Sequence, residues 1–181
     1  MKTLGQQMGF YAAYHQDARN KATHFVGVPA IMLSLFIPLA WLRIELGGVA
    51  ISAAMLFAAA VVVYYFLLDV PLALAMLVVS AVLVRMGDLI ASQGMAQGWV
   101  WFGVLFVGGW IVQLVGHGFE GRKPALADNL FQIFVAPIFL CAEAFFALGY
   151  RPGLQEAVQR RAMEIRARAG TPDRSGLLKS T

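Results

Sequence analysis

"LIASQGMAQGWVWFGVLFVGGWIVQLVGHGF", residues 89–119, runs for thirty-one positions without one Asp, Glu, Lys or Arg. A helix needs about 20 mostly apolar residues to cross the hydrocarbon of a bilayer, so this stretch alone is long enough to span. Further charge-free runs cover residues 25–42, 46–68, 70–84 and 129–142. The chain of 181 residues is 60% hydrophobic and only 13% charged, and a soluble fold of that size lacks the interior to hide so much apolar surface. It reads as an all-α integral membrane protein.

Working outward, five hydrophobic segments are expected near 26–45, 49–68, 71–90, 98–117 and 130–149. Leu68-Asp69-Val70-Pro71 breaks the second from the third, because proline pushes its predecessor out of the helical region. Trp41, Trp99, Trp101 and Tyr150 fall near segment ends, where amphipathic rings favour the headgroup level. The first 24 residues are polar and hold no apolar core of a cleavable signal peptide. Cys141, the single cysteine, forms no internal disulfide. No nucleic-acid motif is present, and nothing in the residues points to an oligomeric state.

Seven of the fourteen basic residues follow Tyr150, and Lys2, Arg19 and Lys21 lie near the N-terminus. By the positive-inside rule both ends are cytoplasmic. That requires an even number of crossings, so the expected fold is a helical bundle of four spans plus one re-entrant or interfacial segment. Segment 130–149, with Pro137 in its middle and Glu143 beyond, is the one expected to re-enter. The expected organisation is a membrane-embedded catalytic domain, 1–150, then a cytoplasmic amphipathic helix and disordered tail, 151–181. Leu154, Ala157, Val158 and Ile165 form the apolar stripe of that helix, and it is expected to lie on anionic lipid.

This topology gathers the chain's three histidines, His15, His24 and His117, on one membrane face. Thr3 and Gln6 fit a capping box, and Leu4, Met8, Tyr11 and His15 make one helical stripe. On an unbroken helix His24 would point away from His15, about 13 Å along the axis. The two can share an ion only if the chain reverses in "QDARNK", where Asp17 and Asn20 are the expected turn formers. His117 and Glu120 are spaced i, i+3, so a continuing helix presents both on one face. Each residue also has a plainer role: one core hydrogen bond for a histidine, a salt bridge to Arg122 or Lys123 for Glu120, helix capping for Asp128 and Asn129. Three imidazoles and a carboxylate suit Fe, Zn or Cu by ligand type. No HExxH, nucleophile elbow, phosphate loop or CxxC occurs, leaving a membrane protein with a candidate cytoplasmic-face metal site.

"GFYAAYHQDARNKATHFVGVP" (9–29) and "GWIVQLVGHGFEGRKPALADNLFQIFVAPIFLCAEAFFALGY" (109–150) together resemble the membrane-bound, iron-dependent 2-hydroxy fatty acid dioxygenases of fungal sphingolipid breakdown and their bacterial relatives. The resemblance implies alpha-oxidation: Fe²⁺ and O₂ convert a long-chain 2-hydroxy fatty acid to the acid one carbon shorter. It implies His15, His24 and His117 as catalytic iron ligands, with Glu120 as a further candidate, although the spelling between His117 and Glu120 departs from the fungal pattern. Three neutral ligands leave open positions for the substrate's carboxylate and alpha-hydroxyl and for O₂. Asn20 and Gln113 are candidates for orienting imidazoles or substrate, and Arg122 or Lys123 for the carboxylate, against a solvated role facing headgroups. The acyl chain is expected between the spans, in contact with membrane lipids, in a cytoplasmic membrane if bacterial or the endoplasmic reticulum if eukaryotic.

Two rivals belong to other classes. A bis-histidine haem protein would normally set its histidines on two facing spans, and His15 lies outside any span. A small transporter needs ionisable groups through mid-bilayer, where residues 89–119 offer only Gln93, Gln97, Gln113 and His117. Arg85 and Asp88, at i, i+3, are expected to pair, and Glu143 at membrane depth is a functional candidate.

Overall fold

The computed structural model describes residues 3–121, 124 and 131–170. Arg122, Lys123, the expected caps Asp128 and Asn129, and the tail beyond Gly170 lie outside the described residues. Helix α1 (Leu4–Ala12) opens with the expected capping box: Gln6 N donates to Thr3 Oγ1 at 3.3 Å while Thr3 N donates to Gln6 Oε1 at 3.1 Å. Helices α2 (Ala18–Trp41), α3 (Ala53–Phe66), α4 (Val70–Ala91) and α5 (Met95–Glu120) follow, then α6 (Gln132–Ala147) and α7 (Pro152–Gly170).

The first two segments need correction. Helix α2 begins at Ala18 and stops at Trp41, and a hairpin takes its place: β1 (Arg43–Leu46) pairs antiparallel with β2 (Val49–Ser52). Gly47 and Gly48 link them at φ +57° and +82°, the left-handed pair that a two-residue hairpin turn requires. Asn20 is likewise not a turn former. Asp17 caps α2 by accepting from Arg19 N at 2.8 Å, and Asn20 is fully buried in the first turn of the helix.

Links between elements set their directions. At one end of the bundle Trp41 Nε1 donates to Ala91 O (3.2 Å), Ala53 N to Leu42 O (2.8 Å), and Arg43 pairs with Asp88, which also meets Arg85. At the other end Tyr64 Oη donates to Gln7 (2.6 Å) and Asp69, the cap of α4, pairs with Arg151 (2.7 Å). Helices α2 to α5 therefore alternate in direction. Three of them, α2, α4 and α5, are long and apolar enough to cross a membrane, and their outward faces carry Val78, Val82, Val104, Val107 and Ile111, all exposed. Helix α3 has 14 residues, about 21 Å at 1.5 Å per residue, short of a hydrocarbon core of about 30 Å.

Close approach of α2 and α5 depends on glycine. A Cβ on Gly27 would lie 2.9 Å from Gly109 O, and one on Gly109 would lie 3.0 Å from Gly27 O, the small-residue contact that lets helices in lipid pack backbone to backbone. Gly116 meets Thr23 and Asn20 even more tightly. The main core, with Met8, Tyr65, Leu72, Met76, Ile138 and Phe139, fills the space between α1, α3, α4 and α6. Helix α7 differs from expectation. Its Val158 and Ala162 are fully buried and Leu154 and Ile165 join the core cluster, so much of its apolar stripe is covered by protein, with Arg161 lying over Gly9 of α1.

Candidate metal centre

Three elements deliver the histidines. The chain leaves α1 through a tight turn in which Tyr14 N donates to Tyr11 O and His15 N to Ala12 O, each at 3.0 Å; the break between α1 and α2 falls at residues 13–17, and of the stretch expected to turn, 16–21, residues 18–21 are already helical. His24 stands in the second turn of α2, and His117 comes from the last turn of α5, next to the glycine contact at Gly116. All three are buried. Ring centroids are 4.5 Å (His15–His24), 4.9 Å (His15–His117) and 5.0 Å (His24–His117) apart. One nitrogen from each lies within 4.8 Å of the others.

The hydrogen bonds decide which nitrogens are free to bind. His15 Nδ1 lies 2.7 Å from Tyr11 O, and His24 Nδ1 lies 2.9 Å from Asn20 O. A carbonyl can only accept, so each Nδ1 carries the proton and each neutral ring presents a bare Nε2. Those two Nε2 atoms are 3.2 Å apart. Two lone pairs at that distance repel, and a shared cation relieves the repulsion. Two nitrogens bound to one ion at about 2.1 Å would themselves lie about 3.0–3.4 Å apart, so the pair fits a divalent metal. Protonation offers little relief, because burial, and then the neighbouring His24, push the His15 imidazole down to about 2. Tyr11 stacks flat on His15, with centroids 3.9 Å apart and planes 3° from parallel.

Glu120 is placed differently from a ligand. Among the described residues the converging group is His15, His24 and His117 alone. The Glu120 carboxylate accepts from Gln16 N (2.9 Å), Asp17 N (2.7 Å), Asn20 Nδ2 (3.4 Å) and Arg166 Nη1 (2.9 Å). Arg166 also donates to Ala13 O at 3.2 Å. Helix α7 and the end of α5 thereby grip the turn on both sides of His15. Among the described residues the cation that meets Glu120 is Arg166, a partner that local spacing does not reveal, while Arg122 and Lys123, expected to form its salt bridge, lie outside the described residues. Asn20 orients His24 through its backbone carbonyl, while its Nδ2 donates to Tyr14 O (3.2 Å). Glu143 meets Lys21 at 2.7 Å, which accounts for that carboxylate without a metal.

Beside the histidines opens an apolar cavity, running between α2, α3, α5 and α6. Gln113 lines it, and so does Gln132, a residue outside the expected site set. Gln132 is 4% exposed and its Oε1 has no hydrogen-bond partner among the described residues. A glutamine at the start of an apolar helix is the available signal.

The comparisons with known proteins agree with this arrangement. The family model described as "2-hydroxy-palmitic acid dioxygenase Mpo1-like" matches residues 1–148. The 2-hydroxy-palmitic acid dioxygenase MPO1 of Saccharomyces cerevisiae is 35% identical over 172 residues, 91% of this chain and 92% of that protein. No solved structure matches. A histidine triad at the head of an apolar cavity, a match across nearly the whole helical bundle and this identity lead to one conclusion: the chain belongs to the 2-hydroxy-palmitic acid dioxygenase Mpo1-like family.

Proposed function

We propose that the protein is an Fe(II)-dependent dioxygenase that shortens long-chain 2-hydroxy fatty acids by one carbon. The observation that carries this reading is the pair of bare Nε2 atoms 3.2 Å apart, with His117 beside them, at the polar end of an apolar cavity. His15, His24 and His117 would hold the iron. Bound there, Fe(II) would supply the electrons and open positions that O₂ activation needs. Tyr11 O and Asn20 O keep both Nδ1 protons in place and so keep Nε2 available. Glu120 and Arg166 act through the turn, fixing His15 rather than binding the ion. The amides of Gln113 and Gln132 line the same cavity and would hydrogen-bond the carboxylate and alpha-hydroxyl of the substrate, while the apolar walls would exclude water. Arg122 or Lys123 remains proposed for the substrate carboxylate. The reaction balances with O₂ as sole oxidant: the 2-hydroxy acid and O₂ give the acid one carbon shorter, CO₂ and water.

Within this reading residues 1–150 form the catalytic domain in the membrane and both termini face the cytoplasm. Helices α2 to α5 make four crossings, α3 extended by the hairpin, and α6 returns to the face that it left. Lipids surround the bundle. A haem is disfavoured, because Nε2 atoms 3.2 Å apart leave no slot for a macrocycle between them.

Purified protein in detergent, incubated with 2-hydroxypalmitate, should consume O₂ and release pentadecanoic acid. A chelator should abolish both and Fe²⁺ should restore them. Turnover that survives complete removal of metal would overturn the proposal.

A further inference from the structure

The cavity has a far end. It follows α2 from His24 past Val28, Ile31 and Leu35 to Phe36, twelve residues or about 18 Å along a helix at 1.5 Å per residue. At that end Phe36 is 3% exposed, and its ring meets Phe57 edge-on with centroids 6.5 Å apart. It is wedged from behind: a Cβ on Gly87 of α4 would lie 2.9 Å from Phe36 Cβ. Ala54, Ala58, Leu83 and Val84 form one buried cluster with Phe36.

Resting on the function proposed above, we infer that Phe36, backed by Gly87 and met by Phe57, is the stop that sets the longest acyl chain. From C2, held at the histidines, an extended chain advances about 1.25 Å per carbon, the projection of a tetrahedral zigzag with bonds near 1.5 Å. Fourteen bonds then reach about 18 Å, so the depth suits a chain of about sixteen carbons. Longer chains must bend or displace the ring. Ala58, on α3 beside the stop, is the position at which a larger side chain shortens the cavity.

The test uses 2-hydroxy acids of 12 to 22 carbons with the full-length protein in detergent, reading both kcat/KM and the rise in Tm on binding. In Phe36→Ala the removed ring frees about 5 Å, room for about four carbons. Each methylene newly buried favours binding about fourfold, so the ratio of kcat/KM for 20 over 16 carbons should rise at least ~10-fold. Ala58→Phe should move the preference the other way, towards 12 carbons. Phe36→Leu, which keeps an apolar filling, should fall between wild type and Phe36→Ala and serves if the alanine variant does not fold. An unchanged length profile in folded Phe36→Leu and Ala58→Phe overturns the stop. If wild type turns over none of these acids, the function fails, and the Tm series still reports whether bound length follows residue 36.

Discussion

Glu120 separates two roles for a carboxylate beside a metal centre, direct coordination and control of a turn. Its side chain is 2% exposed and its Arg166 partner 35% exposed. Glu120→Ala would strip the acceptor from Gln16 N, Asp17 N and Arg166 together. Removing one partner of a buried ion pair costs about 3–5 kcal/mol, and because Arg166 is partly solvated the expected loss is at the low end, about 3 kcal/mol. With the turn released, His15 loses its position, and the expected loss in iron affinity is about 10–100-fold, typical of residues that orient a ligand. Glu120→Gln keeps an oxygen for the two turn amides but presents an NH₂ to the guanidinium, so about 1–2 kcal/mol should be lost. Arg166→Met should lose a similar amount. The double variant should cost less than the sum, because the same contact is removed twice. The assay is iron per protein after dialysis against a chelator, with Tm read in parallel. Glu120→Gln as damaging to iron retention as Glu120→Ala, combined with wild-type retention in Arg166→Met, would refute this anchoring role and favour coordination by the carboxylate.

Further expectations follow from the same geometry. His24→Ala should abolish iron retention and turnover while leaving membrane insertion intact; a fully active variant refutes the ligand assignment. Gly116→Val should push α5 from α2 at Thr23 and Asn20, with a loss of about 2 kcal/mol or more from overpacking, read as a lower Tm and weaker iron retention. Metal-free protein should weaken as pH falls. Folded His15 stays neutral down to about 2 whereas its unfolded value is 6.5, so the unfolded chain binds an extra proton below pH 6.5. The contribution is whole above that pH and is lost on acidification at up to about 1.4 kcal/mol per pH unit. His15→Gln should flatten the decline between pH 6.5 and 5; an identical slope in that variant disproves the assignment.

Much of the candidate site was legible because its parts sit in local patterns. The capping box, the break before Pro71 and the Arg85–Asp88 pair are all local features, and all appear where spacing puts them. The hairpin has a turn signal in Gly47-Gly48, but the apolar runs on both sides of it follow the pattern of a continued span. Asn20, a polar residue near Asp17, suits a turn by local pattern, yet tertiary packing against Gly116 buries it in a helix. Arg166 carries no local signal, for its partner Glu120 is 46 positions away in the chain.

By itself the sequence determined that the chain is helical and apolar, because charge-free runs must satisfy every backbone N–H and C=O internally, and a helix does so within four residues. It also determined which side chains could bind a metal. Only the tertiary structure decided that His15, His24 and His117 converge, that Arg166 reaches Glu120 across 46 positions and Lys21 reaches Glu143 across 122. Such contacts depend on which helix faces pack, and that choice is made by glycines and side-chain shapes meeting from opposite ends of the chain.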